Sequence, residues 1–315
     1  MTAEHAASTT ATNSGSSYPR VWMITGASRG IGARIAEAAL AQGDAVVATS
    51  RSAASVEQRL GAHDALLPLA LDVTDEAQAR QAVGAALDHF GRIDVLVNNA
   101  GYGLLGAVEE ATADEVLRLY DTNVFGLLHV TRAVLPAMRA RRAGHVVNIS
   151  SLGGVQSAAG FGLYCSTKFA VEGITEALHA ELAPLGIHAT VVEPGYFRTE
   201  FLDGSSLAVS PRVLDDYAPS AGAVREAARR INLNQPGDPV RLARALMQLV
   251  ASPTPPLRLP LGTDTLQTIA DKHAFVERET AQWRAVAAST DFPAHEAALK
   301  VARDAAQADA SVLIA

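Results

Sequence analysis

Cysteine and long apolar runs are what the sequence most clearly lacks. Its 315 residues contain one cysteine, Cys165, which excludes an internal disulfide framework and any metal site made of thiolates alone, because both need at least two sulfurs. No apolar run approaches the ~18 residues that a membrane helix requires, and residues 1–19 lack the apolar segment of a secretory signal. These absences predict a cytoplasmic protein with no membrane partner.

Positive charge is also scarce. Lys and Arg number 26 against 33 Asp and Glu, which gives a net charge of −7 at pH 7, and no basic block is longer than a pair such as Arg141 and Arg142. A chain of this kind has little attraction for a phosphate backbone, so we expect no nucleic-acid partner. Hydrophobic residues make up 49% and charged residues 19%, a globular balance that excludes wholesale disorder, collagen and coiled coil.

Short β-branched runs alternate with long alanine-rich amphipathic stretches along most of the chain. This alternation predicts a doubly wound parallel sheet, a Rossmann-like α/β fold of about seven strands in a single domain. The predicted strands are residues 21–27, 45–51, 66–73, 93–100, 145–151, 188–195 and, after three crowded prolines, 257–261. The predicted helices between them include residues 32–42, 75–90, 113–142 and 166–185.

A glycine-rich turn, TGASRGIG at residues 25–32, follows the first predicted strand and leads into a helical pattern near Ala33. A pyrophosphate needs close backbone approach and the unpaired N–H groups of a helix N-terminus, so strand, turn and helix together predict a dinucleotide site. The three glycines alone would also fit an ordinary strand-to-helix turn. Only the strand and helix on either side favour the binding site.

Tyr164 and Lys168 are four residues apart in a segment that opens a predicted helix, which places the phenol and the ammonium on one face. Only three of the 26 basic residues are lysine, so this pairing is rarely accidental. A phenol that transfers protons near pH 7 must lower its pKa from about 10, which takes roughly 4 kcal/mol. An ammonium about 4.5 Å away contributes roughly 3.7 kcal/mol, which desolvation opposes. The alternative is a surface tyrosine beside a solvated lysine.

With these motifs the chain resembles the short-chain dehydrogenase/reductase family over about residues 21–262. Residues 25–32 resemble the family's TGxxxGxG turn, residues 98–101 its NNAG segment, and Tyr164 with Lys168 its YxxxK pair. The resemblance implies a nicotinamide cofactor and a homo-oligomer. It covers a dinucleotide-binding catalytic domain at 20–262. Residues 263–315 place apolar residues roughly one helix face apart and then are alanine-rich, which predicts a C-terminal helical extension.

The resemblance assigns catalytic roles to four residues. Tyr164 would be the general acid in reduction, and Ser151, thirteen residues before it, would hydrogen-bond the substrate oxygen. Lys168 would lower the Tyr164 pKa and bind the nicotinamide ribose, and Asn123 would hold a relay water. From the residues alone, Ser151 could equally end its strand and Asn123 cap a turn.

The resemblance also implies the cofactor contacts. Residues 194–195 and Thr199 would cradle the nicotinamide carboxamide, and Asp72 would lie beside the adenine. The full set of expected cofactor residues is Gly26, Ser28, Arg29, Gly30, Ile31, Gly32, Arg51, Asp72, Asn98, Ala100, Gly101, Lys168, Pro194, Gly195 and Thr199.

The end of the second strand favours NADP(H) as the cofactor. Ser50 and Arg51 stand where an NAD site would place Asp or Glu. A carboxylate would repel a 2′-phosphate, whereas Arg51, helped by Arg29, would attract one. The alternative is that both arginines are solvated, since arginine is the common cation of this chain.

Two regions lie outside the strand–helix alternation. Residues 1–19 have no apolar periodicity and are predicted to be a disordered tail. Residues 196–238 mix aromatics with glycine, serine and proline, which predicts a mobile lid over the site. Helix-face histidines such as His89 and His129 lack partners at metal-ligand spacing, so no metal is expected.

The sequence therefore predicts an NADP(H)-dependent oxidoreductase that moves hydride between the nicotinamide and a carbonyl or secondary alcohol of a small molecule. Apolar residues near the motifs favour an apolar substrate, although some of them could equally pack in the core against a helix. Two alternatives stay open: an NADP-binding redox sensor without turnover, and an epimerase or dehydratase of a related family, whose glycine spacing TGxxGxxG differs. The apolar residues are Tyr102, Leu104, Leu105, Val155, Phe161 and the phenylalanines of the predicted lid, Phe197 and Phe201.

Overall fold

A seven-stranded parallel sheet forms the centre of the protein. The structure, a computed structural model, describes residues 18–292. The strands are β1 (Val21–Thr25), β2 (Ala45–Ser50), β3 (Leu66–Ala70), β4 (Val95–Asn98), β5 (Gly103–Leu105), β6 (Gly144–Ile149), β7 (Ile187–Pro194), β8 (Leu207–Val209) and β9 (Arg258–Leu261). The main sheet has the order β3-β2-β1-β4-β6-β7-β9, and β5 pairs with β8 separately. The doubly wound α/β prediction is confirmed.

Helices cover both faces of this sheet. They are α1 (Gly30–Ala41), α2 (Ala53–Leu60), α3 (Glu76–Phe90), α4 (Ala113–Tyr120), α5 (Gly126–Arg141), α6 (Gly162–Leu182), α7 (Ala223–Ile231), α8 (Pro239–Ala251) and α9 (Thr263–Ala288). Successive strand residues point to opposite faces. Met23 of β1 therefore packs in a core with α3 and α5, whereas Ile24 packs in a second core with α1 and α8.

The winding of the sheet reverses between β1 and β4, which are neighbours in space although β2 and β3 separate them in the chain. In open α/β sheets a crevice forms at the carboxyl ends of the strands at such a point. Thr25 ends β1 and Asn98 ends β4, so the glycine turn and the NNAG segment both begin at this crevice.

The ends of α3 follow from local chemistry. The Asp75 side chain accepts the N–H groups of Ala77 at 2.8 Å and Gln78 at 3.0 Å, and Gly91 ends the helix with a φ of 75°. Three helices, α2, α7 and α8, were not predicted. The sequence of α2 has no clear apolar face, and only Val56 is buried in this helix. The sequence of α8 does have an apolar face, which is buried in the structure.

The predicted helix at residues 113–142 is three consecutive segments. Thr112 and Glu115 form a capping box at the start of α4, and a π-helical turn, Asp121–Phe125, separates α4 from α5. A π turn inserts one residue into the helical repeat and often lies at a functional site. Apolar periodicity predicts the extent of such a helix and not its interruption. The inserted turn contains the buried Asn123.

The predicted lid at residues 196–238 contains regular structure rather than an open loop. β8 pairs with β5, and Leu207 packs against Leu105. The buried Glu110 carboxylate forms an ion pair with Arg225 of α7. Because these partners are far apart in the sequence, local composition did not indicate that the segment is anchored.

The beginning of the described chain is part of the fold. The Tyr18 ring packs edge-to-face on Phe90 with centroids 5.9 Å apart, so the tail predicted at residues 1–19 does not extend to Tyr18. Residues 1–17 lie outside the described residues.

The chain divides into one compact unit that ends at Thr268 and a second that begins at Ile269. The described residues of the second unit continue α9 to Ala288, and residues 293–315 of the predicted extension lie outside the description. Among residues 18–292, no helix has the length and apolar character that crossing a membrane would take.

Candidate active site

A cavity of about 890 Å³ opens at the carboxyl edge of the sheet, at the crevice between β1 and β4. Most of the predicted site residues line it. They are Gly26, Ser28, Arg29, Gly30, Ile31, Arg51, Asp72, Ala100, Gly101, Ser151, Tyr164, Lys168, Pro194, Gly195 and Thr199. The lining does not include Gly32, Asn98 or Asn123.

The glycine turn has the geometry that a phosphate requires. The φ angles of Gly26 and Gly30 are +66° and +56°, and a Cβ on Gly26 would lie 3.0 Å from the Cα of Ala100. The N-cap residue of α1, Arg29, makes no side-chain capping hydrogen bond. The first-turn N–H groups, at residues that line the cavity, can therefore bind an anion.

Asn99 holds this turn, a role that was not predicted. Its Nδ2 donates to the carbonyl oxygens of Thr25 at 2.8 Å and Gly26 at 3.0 Å. A Cβ on Gly32 would clash with the same amide, so Gly32 is needed for packing. The predicted cofactor contact at Gly32 stays a prediction. The NNAG motif could have indicated this role of Asn99, because Asn99 directly follows a strand that ends at the crevice.

Asn98 points into the protein interior rather than into the cavity. Its Nδ2 donates to Thr131 Oγ1 at 2.8 Å and to Asn148 Oδ1 at 2.9 Å, and Asn148 donates to Thr175 Oγ1 at 2.9 Å. These buried hydrogen bonds join β4 and β6 to α5 and α6. The predicted cofactor role of Asn98 is corrected to a structural one, since adjacent strand residues face opposite sides.

Tyr164, Ser151 and Lys168 meet in the cavity wall. Ser151 is near enough to the Tyr164 phenol to lower its pKa, and its hydroxyl accepts the Gly153 N–H at 3.0 Å. Lys168 Nζ lies 5.7 Å from the centroid of the Tyr164 ring and donates to the Ile149 carbonyl at 2.9 Å. The phenol and the ammonium are one turn apart on α6, as the spacing predicts.

Burial controls the protonation of this pair. It raises the pKa of the Tyr164 phenol above its ordinary value of 10.0, and the opposing effect of Ser151 only partly offsets the rise. Burial lowers the pKa of Lys168 to about 8, and the Glu172 carboxylate acts in the opposite direction. The net direction for Tyr164 differs from the predicted lowering, because desolvation of the phenolate outweighs the opposing effect of Ser151.

Asn123 lies behind the cavity wall. Its Oδ1 accepts the Tyr102 N–H at 3.0 Å, and its Nδ2 donates to the Tyr102 carbonyl at 2.9 Å and to Thr167 Oγ1 at 3.1 Å. A Cβ on Gly101 would lie 3.0 Å from Asn123 Oδ1 and 3.9 Å from Lys168 Nζ. The Asn123 side chain, which was expected to hold a relay water, therefore connects the loop after β4 to α6 next to Lys168.

Arg51 and Asp72 lie at the end of the cavity near β2 and β3. Arg51 is exposed, and Asp72 Oδ1 accepts the Thr74 N–H at 3.0 Å. Arg29 donates to the Ser205 carbonyl of the lid segment, so it bridges the glycine turn and this segment. Of the two arginines expected to attract a phosphate, Arg51 is the one that makes no such contact with another residue in the range 18–292.

The segment after β7 closes the opposite end. Thr199 faces the glycine turn, because a Cβ on Gly30 would lie 3.9 Å from Thr199 Cβ. Asp264 shapes the turn before it: its Oδ2 accepts the Tyr196 N–H at 2.7 Å, and a Cβ on Gly195 would clash with this carboxylate. Asp264 was not predicted as part of the site, because it lies 68 residues from its partner in the sequence.

Apolar side chains surround the phenol. The rings of Phe201 and Phe161 lie 5.5 Å and 6.2 Å from the Tyr164 ring, and Tyr102 also lines the cavity. Three other predicted substrate residues, Leu104, Leu105 and Val155, are outside the lining, and two of them are buried in the small sheet. Lining residues that were not predicted include Leu152, Gln156 and Gln235.

The sequence matches the short chain dehydrogenase family over residues 20–208. The protein therefore belongs to the short-chain dehydrogenase/reductase family of oxidoreductases. It is 39% identical to Oxidoreductase BOA17 of Botryotinia fuckeliana, over 84% of this chain and 97% of the relative. It is also 39% identical to the 3-ketodihydrosphingosine reductase of Bacteroides thetaiotaomicron, over 78% of this chain and 88% of that protein.

Solved structures support the same family. A short-chain dehydrogenase from Streptomyces avermitilis is 41% identical, with a TM-score of 0.80 over 86% of this chain and all of that one. A short-chain dehydrogenase/reductase from Burkholderia phymatum, solved with NAD, is 26% identical with a TM-score of 0.73 over 82% of this chain and 95% of its own. A serine dehydrogenase complexed with NADP+ is 28% identical with a TM-score of 0.65 over 76% and 94%.

Proposed function

We propose that the protein is an NADP(H)-dependent oxidoreductase that transfers hydride between the nicotinamide and the carbonyl or secondary alcohol carbon of a small, mostly apolar molecule. The observation that carries the proposal is the meeting of the Tyr164 phenol, the Ser151 hydroxyl and the Lys168 side chain in one cavity with the glycine turn. A proton donor beside a dinucleotide-binding turn is the arrangement that carbonyl reduction needs.

The nicotinamide, when bound, supplies the hydride, and residues of this chain handle the proton. Tyr164 is protonated at neutral pH, because burial raises its pKa, so in reduction its hydroxyl donates to the carbonyl oxygen. Ser151 hydrogen-bonds the same oxygen and orients it. Lys168 binds the ribose and places a positive charge near the phenolate that forms, which stabilises it.

The residues around the cavity fit NADP(H). First-turn N–H groups and the two glycines with positive φ, Gly26 and Gly30, can accommodate a pyrophosphate. At the far end Arg51 is exposed and can reach a 2′-phosphate, with no carboxylate directly after β2 to repel one. Similar structures contain NAD in one case and NADP+ in another, so the preference is inferred from Arg51.

The apolar rings beside Tyr164 support an apolar substrate. Phe161, Phe201 and Leu202 line the cavity and can bury hydrocarbon next to the reacting carbonyl. The Bacteroides relative is named as a reductase of a 3-keto compound, which is consistent with carbonyl reduction. We further propose a cytoplasmic homo-oligomer.

The experiment that tests the function is a panel of ketones, aldehydes, steroid-like compounds and sugars, assayed with the full chain by NADPH absorbance. We expect turnover of at least one apolar ketone or aldehyde. NADPH binding without turnover of any compound would contradict the proposal and favour the non-catalytic redox sensor.

A further inference from the structure

A cluster of buried charges lies one helical turn beyond Lys168. Glu172 follows the lysine by four residues on α6, hence on the same face, and the two residues are only 5% and 7% exposed. Glu193 of β7 is completely buried. Arg258 of β9 pairs with Glu172, with Glu193 at 2.8 Å, and with Glu176 nearer the surface.

The cluster adjoins the cavity through Ser150, which lines it. Gly154 leaves room for this approach, because a Cβ there would clash with Ser150 Oγ and lie 2.8 Å from Glu172 Oε1. The carboxylate and the hydroxyl are therefore side by side beneath the segment that carries Ser151. None of these charged groups has a role in the proton transfer proposed above.

Burying such a cluster is costly, since a buried ion pair seldom stabilises a fold more than packed apolar side chains do. Burial raises the pKa of Glu172 to about 7, and Glu193 adds to the rise, while Ser150 and Arg258 oppose it. Burial would lower the pKa of Arg258, but its carboxylate partners outweigh this and raise it. The arginine thus stays charged, and its ion pair with Glu172 favours the ionised carboxylate.

We propose that Glu172 is a positioning residue for Lys168: its carboxylate, held ionised by Arg258, keeps the lysine cationic at the site. The catalytic part of this inference rests on the proposed function. Lys168 is faced on its own helix by Tyr164 and Glu172. Glu172 is faced by Glu193 from β7 and Arg258 from β9. A cationic lysine binds ribose hydroxyls as a donor and stabilises a phenolate, and a neutral one does neither as well.

The lysine can be titrated directly, because the sequence contains only three lysines. Protein labelled with 13C at lysine Cε gives three NMR signals, and loss of one in Lys168→Arg identifies the signal of Lys168. In the wild type it should titrate near pH 8, the pKa that burial gives this lysine, with a smaller inflection near pH 7 from Glu172. In Glu172→Gln the midpoint should fall to about 7 or below, since a nearby charge typically moves a pKa by one unit or more.

Glu176→Gln is the matched control. It removes the same charge from the same helix and from the same arginine, but its carboxylate is 55% exposed, so the lysine midpoint should stay near its wild-type value. An unchanged midpoint in Glu172→Gln, or an equal fall in the control, overturns the proposal. If Glu172→Gln does not fold, the wild-type titration decides, and a Lys168 midpoint well below pH 8 overturns the claim that the lysine is kept cationic.

The pH dependence of kcat tests the catalytic part. Losing the carboxylate lowers the pH at which Lys168 loses its proton, so the alkaline limb of the profile should move to lower pH in Glu172→Gln by the amount seen in the NMR midpoint. Glu172→Asp, which keeps the charge, should restore most of the shift. If the Lys168 midpoint moves in Glu172→Gln but the pH profile of kcat does not, the positioning role is overturned. A wild type without turnover contradicts the proposed function and leaves the NMR result to stand by itself.

Discussion

At Tyr164, burial and hydrogen bonding act on the phenol in opposite directions. Burial raises its pKa and the contact with Ser151 lowers it, so the neutral phenol is the stable form. This makes Tyr164 a donor in reduction, and in oxidation it must be assisted by a positive charge that stabilises the phenolate. Lys168 is the cation within reach, at 5.7 Å from the ring centroid.

We expect Tyr164→Phe to lower kcat at least ~10²-fold, the usual effect of losing a positioned acid. Dissociation constants for NADPH, measured by fluorescence, should remain near the wild-type value. Tyr120→Phe is the control, because its hydroxyl donates to Ser166 Oγ at 2.9 Å outside the cavity lining. Comparable kcat values for the two variants would remove Tyr164 from the mechanism.

Arg51 determines the expected cofactor preference. A charge-assisted hydrogen bond contributes roughly 1.5 to 3 kcal/mol, so kcat/KM should favour NADPH over NADH by about 10-fold to 150-fold, with the lower end expected at an exposed site. Arg51→Asp should abolish or reverse this preference, because it replaces attraction with repulsion. Higher salt should weaken NADPH binding more than NADH binding.

Arg241→Asp provides the matched control for net charge. Arg241 is 83% exposed and does not line the cavity, so the cofactor ratio should be that of the wild type. Equal kcat/KM for both cofactors in the wild type would defeat the preference for NADP(H) without affecting the role of Tyr164.

At the scale of elements, neighbouring strands and helices supply the support that the motifs need. The π turn after α4 places Asn123 against the loop at Gly101, and the lid segment is held by the ion pair of Glu110 with Arg225. Removing one partner of a buried pair leaves an uncompensated charge, which is strongly destabilising. The part of the lid segment that contains α7 is therefore held in place. Motion of this segment would be confined to the residues nearer the cavity.

The pairing of β6 with β7 buries a neutral histidine. Thr190 donates to the Pro256 carbonyl at 2.7 Å, so its oxygen accepts from His145 Nε2 at 2.9 Å. Burial lowers the pKa of His145 to about 3, with a smaller contribution from His188. The folded-state pKa lies below the unfolded value, so this stabilisation is complete above about pH 6.5 and is lost as the pH falls toward 3.

We expect urea unfolding to show this loss. Between pH 7 and pH 5 the wild type should lose about 2 kcal/mol of unfolding free energy through His145, and His145→Gln should not lose that part. His188→Gln, which changes the exposed neighbour, should keep most of the wild-type dependence. Equal pH dependence in His145→Gln and the wild type would mean that this histidine does not carry the effect.

At the scale of the whole molecule, three large apolar side chains are exposed on α4, the π turn and α6. Leu117 is 60% exposed, Phe125 46% and Phe169 44%. The hydrogen bond between Tyr120 and Ser166 joins α4 to α6, so these residues belong to packed neighbours. Such a surface is what a homo-oligomer would cover.

We expect light scattering after size exclusion to show a homo-oligomer at micromolar concentration. Phe125→Glu should shift it toward the monomer, because a charge would be buried without a partner in the interface. Val213→Glu, at a site that is 59% exposed in the lid segment, should leave the mass unchanged. A monomeric wild type would refute the oligomer.

The alternation of strands and helices, the glycine turn and the pair Tyr164–Lys168 were determined by the sequence alone. These features depend on local spacing: a period of two or 3.6 residues, a turn that only glycine can form, and two side chains one helical turn apart. The family resemblance added Ser151, which the structure places beside the phenol.

Only the tertiary structure decided which neighbouring residues face the cavity and how their charges behave. It showed that Asn99 holds the glycine turn whereas Asn98 faces the interior. It also showed that Asn123 lies behind the cavity wall and that Asp264 shapes the turn at Gly195. It also reversed the expected direction of the Tyr164 pKa, because desolvation depends on everything packed around a group. Contacts between residues that are distant in sequence, and the burial they produce, leave no local pattern from which they could be predicted.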